Sequence, residues 1–119
     1  MEILLIIISG VICAAVGQML WKYGMNIGGD LNFLNPYDVF TRILFNPYVL
    51  LGFLMYGLSA LLWLIALSKK ELSYVYPFMA LTFIIIPITS RLIFNEEIPF
   101  LRIIGTLIIV LGIMLVIQS

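Results

Sequence analysis

The sequence predicts an all-α membrane protein built on four transmembrane helices. Three observations carry that expectation. Hydrophobic residues make up 64% of the 119 and charged residues 10%, against roughly 25% charged in soluble domains. A soluble chain this short has no core large enough to hide so much apolar surface. The apolar residues also gather into four runs, and inside a bilayer a run of this length satisfies its backbone only as a helix.

The first run, Ile3 to Trp21, is uncharged throughout and predicts a helix over 3–23. It opens MEILLIII, where the only early charge is Glu2. A secretory signal has a positive start and a small-residue cleavage site, so this run reads as a permanent span. The second run predicts a helix over 47–68, with Asn46-Pro47 placing proline at a first-turn position. The third predicts a helix over 72–94. It contains Pro77 and Pro87, each of which removes a backbone hydrogen bond. The fourth predicts a helix over 100–117 with Pro99 at its start. Its uninterrupted part, Ile103 to Ile117, is short of the roughly 20 residues of a full span unless Phe100 and Leu101 join it or Gln118 and Ser119 sit in the headgroups.

The connections complete one domain, residues 1–119. SKKEL and FNEEIPFLR are short and make tight antiparallel turns. The long one is GMNIGGDLNFLNPYDVFTRILFNP, irregular around Gly28, Gly29, Asp30, Asn32 and Asn35. Within it, Leu34, Tyr37, Phe40, Ile43 and Leu44 recur near helical spacing, with Asp38 and Arg42 opposite. That pattern predicts a short interfacial helix over 36–45, lying on the membrane surface; the alternative is a loop with scattered apolar residues. Lys22, Arg42, Arg91 and Arg102 belong to one side of the membrane and Lys69 and Lys70 to the other. The excess favours the first set as cytoplasmic, but the count ties if Lys22 and Arg91 lie within the helices.

Composition excludes several function classes. There is no histidine, and Cys13 is the sole cysteine. No histidine-based catalytic triad, histidine–cysteine metal site or internal disulfide is available, and no catalytic residue, metal or cofactor is expected. Net charge is zero, and no basic patch suggests nucleic acid. Cys13 reads as a packing residue. The runs hold no Asp or Glu away from their ends; Glu2, Glu71 and Glu96 are all near an interface.

The candidates for function are therefore few. Gln18 and Lys22 stand one turn apart on one helix face. Lys22 reads either as a side chain snorkelling to the interface or as a cation in an aqueous cavity, with Gln18 a turn deeper. The second arrangement suits an anionic headgroup, phosphate above all, and Arg91 offers a bidentate fork for the same group. Tyr74 and Tyr76 fit an interfacial aromatic belt or a cavity, and Tyr76 directly precedes the Pro77 break. Trp63 is open between belt, packing and site. Glu96 and Arg102 flank the last connection, where they are placed to pair. Gly10, Ala14, Gly17 and Gly24 share a face of the first helix; Gly105 and Gly112 are two turns apart in the fourth. Small residues allow close helix approach in lipid, and in the fourth helix a contact between protomers is expected. Four such helices enclose little space, so a polar pathway needs an oligomer.

Taken together, VGQMLWK, LLWLIALSKKELSYVYPFMAL and FNEEIPFLRIIGTLIIVLGIMLVI resemble the drug/metabolite transporter superfamily. Within it the chain is similar to EamA-like, small multidrug resistance-like four-helix proteins. It is most like the small subunits of the undecaprenyl-phosphate-aminoarabinose flippase. Gly17, Gln18 and Lys22 match a G-Q-x-x-x-K pattern, and Tyr76-Pro77 a Y-P pair. Glu96, Arg102, Gly105 and Gly112 match E…R-x-x-G…G. The resemblance implies a shared fold that functions as a dimer, either a homodimer, parallel or antiparallel, or a heterodimer with a sibling subunit. It implies residence in a bacterial or archaeal cytoplasmic (inner) membrane and movement of a polyprenyl-phosphate-linked sugar or related anionic lipid. Gln18, Lys22, Trp63, Tyr74, Tyr76 and Arg91 would bind substrate. Gly17, Pro77, Pro87, Glu96 and Arg102 would shape or gate the path, and Gly105 and Gly112 would meet the second protomer. Multidrug exporters carry an essential glutamate three residues before the shared glycine, and here that position is Ala14. Two other readings stand beside this one: an exporter of small cationic or amphipathic compounds, and a non-transporting accessory subunit of a membrane glycosyltransferase system.

Overall fold

The computed structural model describes residues 2–28 and 31–118; Gly29 and Asp30 of the long connection lie outside the described residues. Its helices are α1 (Glu2–Ile27), α2 (Pro36–Leu44), α3 (Pro47–Lys69), α4 (Leu72–Val75), α5 (Thr82–Phe94) and α6 (Phe100–Gln118). A 3-10 segment, Tyr76–Leu81, joins α4 to α5. Four helical stretches are long and apolar enough to cross a membrane: α1, α3, Leu72–Phe94 and α6. The chain is a multi-pass membrane protein.

Helix α1 runs past residue 23 because Gly24 does not end it. Gly24 instead faces the start of α3, where a Cβ would come within 3.0 Å of Asn46, Tyr48 and Val49. Asn46 caps α3, its Oδ1 accepting from the Tyr48 and Val49 amides, while its Nδ2 donates to the Gly24 carbonyl at 2.7 Å. One amide side chain thus caps one helix and ties it to another. At the crossing, a Cβ on Gly17 would lie 2.8 Å from the Gly52 carbonyl, and one on Gly52 2.7 Å from the Gly17 carbonyl. Further along, the Ser59 hydroxyl donates to the Gly10 carbonyl at 2.7 Å in a buried position. These contacts make α1 and α3 the most closely packed pair, by backbone approach and polar ties as expected in lipid.

The third span is helical in two pieces. Pro77 opens the 3-10 segment and Pro87 lies inside α5. Tighter 3-10 winding accommodates the missing amide of Pro77. Thr82 and Thr89 hydroxyls donate to the Met79 and Ile85 carbonyls at 2.7 and 2.8 Å, adding bonds within the interrupted span. Ile7, Val11, Ala66, Val75 and Phe78 form the buried cluster that holds this span to α1 and α3. Asn95 ends α5 at φ 54°, and its amide reaches the Ser90 carbonyl; asparagine is among the few residues that adopt this left-handed turn readily.

Helix α6 packs lightly. Ile113 is its only buried residue, and among the described residues no atom of another element lies within 4 Å of a Cβ placed on Gly105 or Gly112.

Candidate functional site

Chain direction places the C-terminal turns of α1 and α5 and the first turns of α3 and α6 at one end of the molecule. Lys22 lies there, and its Nζ is 3.8 Å from Glu96 Oε1, both side chains about half exposed (52% and 42%). Lys22 thus has a carboxylate beside it, although none is near in sequence. The pair corrects one sequence expectation. Glu96 pairs with Lys22 rather than with Arg102. The left-handed turn at Asn95 swings the short connection toward α1, whereas Arg102 is taken up in the first turn of α6, its amide bonded to the Pro99 carbonyl at 3.0 Å. An ion pair this long and this exposed is worth about 0–1 kcal/mol, so it is readily exchanged for another anion.

Gln18, one turn from Lys22, lines a cleft of about 290 Å³ together with Tyr76, Pro77 and Thr82. The Pro77 break is what places Tyr76 there, as the residue leading into the 3-10 segment. On the adjoining face of α1, Ile12, Met19 and Tyr23 combine with Ile85, Thr89 and Phe94 of α5 to line an apolar groove of about 370 Å³. The Thr89 hydroxyl reaches Met19 Sδ at 3.3 Å across it. The groove and the polar residues interleave in sequence: Gln18 precedes Met19, and Lys22 precedes Tyr23.

The remaining candidates are dispersed. Arg91 lines a separate polar recess with Asn95 and Glu97. Trp63 packs against the buried cluster. Tyr74 meets Phe78 with tilted rings, centroids 5.5 Å apart, and lies under Lys70 Nζ at 5.5 Å, at the opposite end from Lys22. Pro87 lies on a second apolar groove of about 400 Å³, between α5 and α6, beside Ile103 and Val110. Among the described residues no group of acidic or sulfur ligands is placed to hold a metal ion.

Sequence reasoning missed Trp21. Its ring lies 5.1 Å from both Phe53 and Tyr56, and its indole Nε1 is buried without a hydrogen-bond partner among the described residues. A Cβ on Gly52 would meet that ring within 2.7 Å, so the indole fills the gap beside the glycine crossing. The spacing of Trp21 from Gly17, one turn along the same face, was the available signal.

The chain is similar to known proteins along most of its length. Over 82 residues the chain is 34% identical to the probable 4-amino-4-deoxy-L-arabinose-phosphoundecaprenol flippase subunit ArnE of Pseudomonas aeruginosa (strain UCBPP-PA14), covering 69% of this chain and 71% of the relative. It is 27% identical over 113 residues to the protein of the same name from Aeromonas salmonicida (strain A449), covering 95% and 93%. It is 29% identical over 122 aligned positions to the probable flippase subunit ArnF of Erwinia tasmaniensis, covering 95% and 92%. No solved structure matches the chain. The EamA-like transporter family matches residues 31–118, which takes in α2, α3, the broken third span and α6, and the chain belongs to that family.

Proposed function

We propose that this chain is a non-enzymatic subunit of a flippase that moves a polyprenyl-phosphate-linked sugar, or a related anionic lipid, across the cytoplasmic membrane of a bacterium or archaeon. The observation that supports this reading is the juxtaposition on α1. Gln18 and Lys22 stand along α1 next to Met19 and Tyr23, residues of an apolar groove that begins at Ile12 and ends at Tyr23, about 16 Å along the helix. A lipid phosphate has both parts, a charged head for Lys22 and an apolar tail for the groove. A small soluble anion uses only the first and a hydrocarbon only the second. The phosphate takes the place of Glu96 on Lys22, and no bond is made or broken. The subunit names of the relatives agree with such a substrate.

Binding tests the reading directly. Purified protein titrated with a polyprenyl phosphate and with the matching uncharged polyprenol is expected to prefer the phosphate. The preference should reach about tenfold or more for one charge-assisted contact. Equal affinity for the two would overturn the headgroup assignment.

The working unit is a dimer, with a second copy or with a sibling subunit, formed along α6. Gly105 and Gly112 face open space within this chain, and their faces suit close helix approach. Gly105→Leu and Gly112→Leu are expected to reduce the dimer fraction in detergent, measured by light scattering, with helix content unchanged. Dimers of full strength in both variants would place the interface elsewhere.

A further inference from the structure

The segment between α1 and α3 has a surface that the transport reading does not use. Phe33, Leu34, Tyr37, Phe40, Leu44 and Phe45 are each between 52% and 81% exposed. They are gathered on α2 and its two flanks, a stretch too short to cross a bilayer. Its polar side chains bond to the segment's own backbone. The Asp38 carboxylate accepts from the Asn32 amide at 3.0 Å, and Asn35 Oδ1 caps α2 through the Tyr37 amide at 3.1 Å. Thr41 donates to the Tyr37 carbonyl at 2.9 Å. Arg42 lies over Gly28 at the end of α1, where a Cβ would collide with its guanidinium.

Position supplies the occupant. α2 is joined at both ends to membrane-crossing helices, and the Asn46–Gly24 bond holds the second junction against α1. The apolar face is therefore held at the level where α1 ends and α3 begins, continuous with lipid-facing helix surface. Tyr23 and Tyr48 meet edge to face at that level, 4.8 Å between ring centroids, in the depth range that aromatic residues favour.

We infer that α2, with Phe33, Leu34 and Phe45, is seated in the boundary between headgroups and acyl chains of the leaflet at the Lys22 end. There it fixes how deeply α1 is immersed. Its apolar residues enter the acyl region while Asp38, Thr41 and Arg42 stay at headgroup level, the geometry of an interfacial amphipathic helix. Lys22 lies beside Tyr23 and two residues before Gly24, about 3 Å along α1 from the Asn46 bond, so a seated α2 holds Lys22 just beneath the headgroups. This assignment does not depend on the identity of the transported lipid.

Spin labels measure it. In a Cys13→Ala background, Phe40→Cys and Thr41→Cys are labelled and the full-length protein is reconstituted in phosphatidylcholine vesicles. Collisions with oxygen, which concentrates in the acyl region, are compared with collisions with a water-soluble nickel chelate. At position 40 oxygen is expected to dominate, and at position 41 the balance is expected to shift toward nickel. Leu44→Cys, one turn along the apolar face, should repeat the position 40 result and guards against a local effect of losing Phe40. Nickel access at 40 and 44 equal to that at 41 would mean a solvated loop and overturn the proposal. Protection of 40 and 44 from both reagents would mean that protein covers this face, and would overturn it equally.

Discussion

Lys22→Ala is expected to lower the affinity for a polyprenyl phosphate about tenfold to a hundredfold. A hydrogen bond to a charged group contributes about 1.5–3 kcal/mol, and each 1.4 kcal/mol is about a factor of ten. Lys22→Arg keeps the charge in a different geometry and should retain part of the affinity. Gln18→Ala leaves the Lys22 charge in place and should cost less than Lys22→Ala. Glu96 supplies the opposite sign. Its carboxylate is 3.8 Å from Lys22 Nζ, where a bound phosphate would have to displace it. Glu96→Gln should therefore tighten binding, by up to about fivefold for an exposed pair worth at most about 1 kcal/mol. The two signs separate this reading from a lysine that only snorkels to the interface. In that case Lys22→Ala and Glu96→Gln would both leave affinity unchanged in titrations of purified protein, and the headgroup would have to be sought at Arg91 or Arg102.

The opposite expectations for Lys22 and Glu96 mark the limit of what the chain discloses by itself. The four spans were legible because a bilayer imposes one solution on a long apolar run. The break at Tyr76–Pro77 was legible because proline has no amide to donate. Gln18 and Lys22 could be placed on one face by spacing alone. Their neighbours could not. The Lys22–Glu96 pair depends on a left-handed turn at Asn95 that re-aims a short connection, and the Gln18–Tyr76 cleft depends on how the broken third span leans on α1. Both are tertiary facts with no periodicity to announce them. Trp63, Tyr74 and Arg91 show the same limit from the other side. Each is a residue type suited to binding, yet one packs on the core cluster, one lies at the far end, and one opens into a separate recess. Gly17 was legible as a small residue, but its partner Gly52 and the Trp21 ring beside it emerge only when α1 meets α3.

That meeting gives the second large effect. Gly17→Ala is expected to destabilise the protein by about 1–3 kcal/mol, the usual cost of overfilling a packed contact. The added Cβ would lie 2.8 Å from the Gly52 carbonyl and 3.2 Å from the Tyr56 amide. Both are backbone atoms of a helix, so no side chain can rotate to make room and α1 must move away from α3. That movement stretches the Ser59–Gly10 and Asn46–Gly24 bonds, each 2.7 Å now. It also loosens the contact between the Trp21 indole and Gly52. Gly52→Ala meets the Gly17 carbonyl at 2.7 Å and the Trp21 ring as well, and should be at least as damaging. Two other helical glycines calibrate the result. Among the described residues, a Cβ on Gly10 would find its nearest neighbour at 3.5 Å, and one on Gly57 would find nothing within 4 Å. Gly10→Ala should be tolerated, and Gly57→Ala should be neutral or mildly stabilising through the higher helix propensity of alanine. Because either crossing substitution already separates the helices, the Gly17→Ala/Gly52→Ala double variant should lose less than the sum of the two single losses. Reversible denaturation in mixed micelles measures all five variants. A Gly17→Ala protein as stable as Gly10→Ala would show that α1 and α3 do not approach at these two glycines.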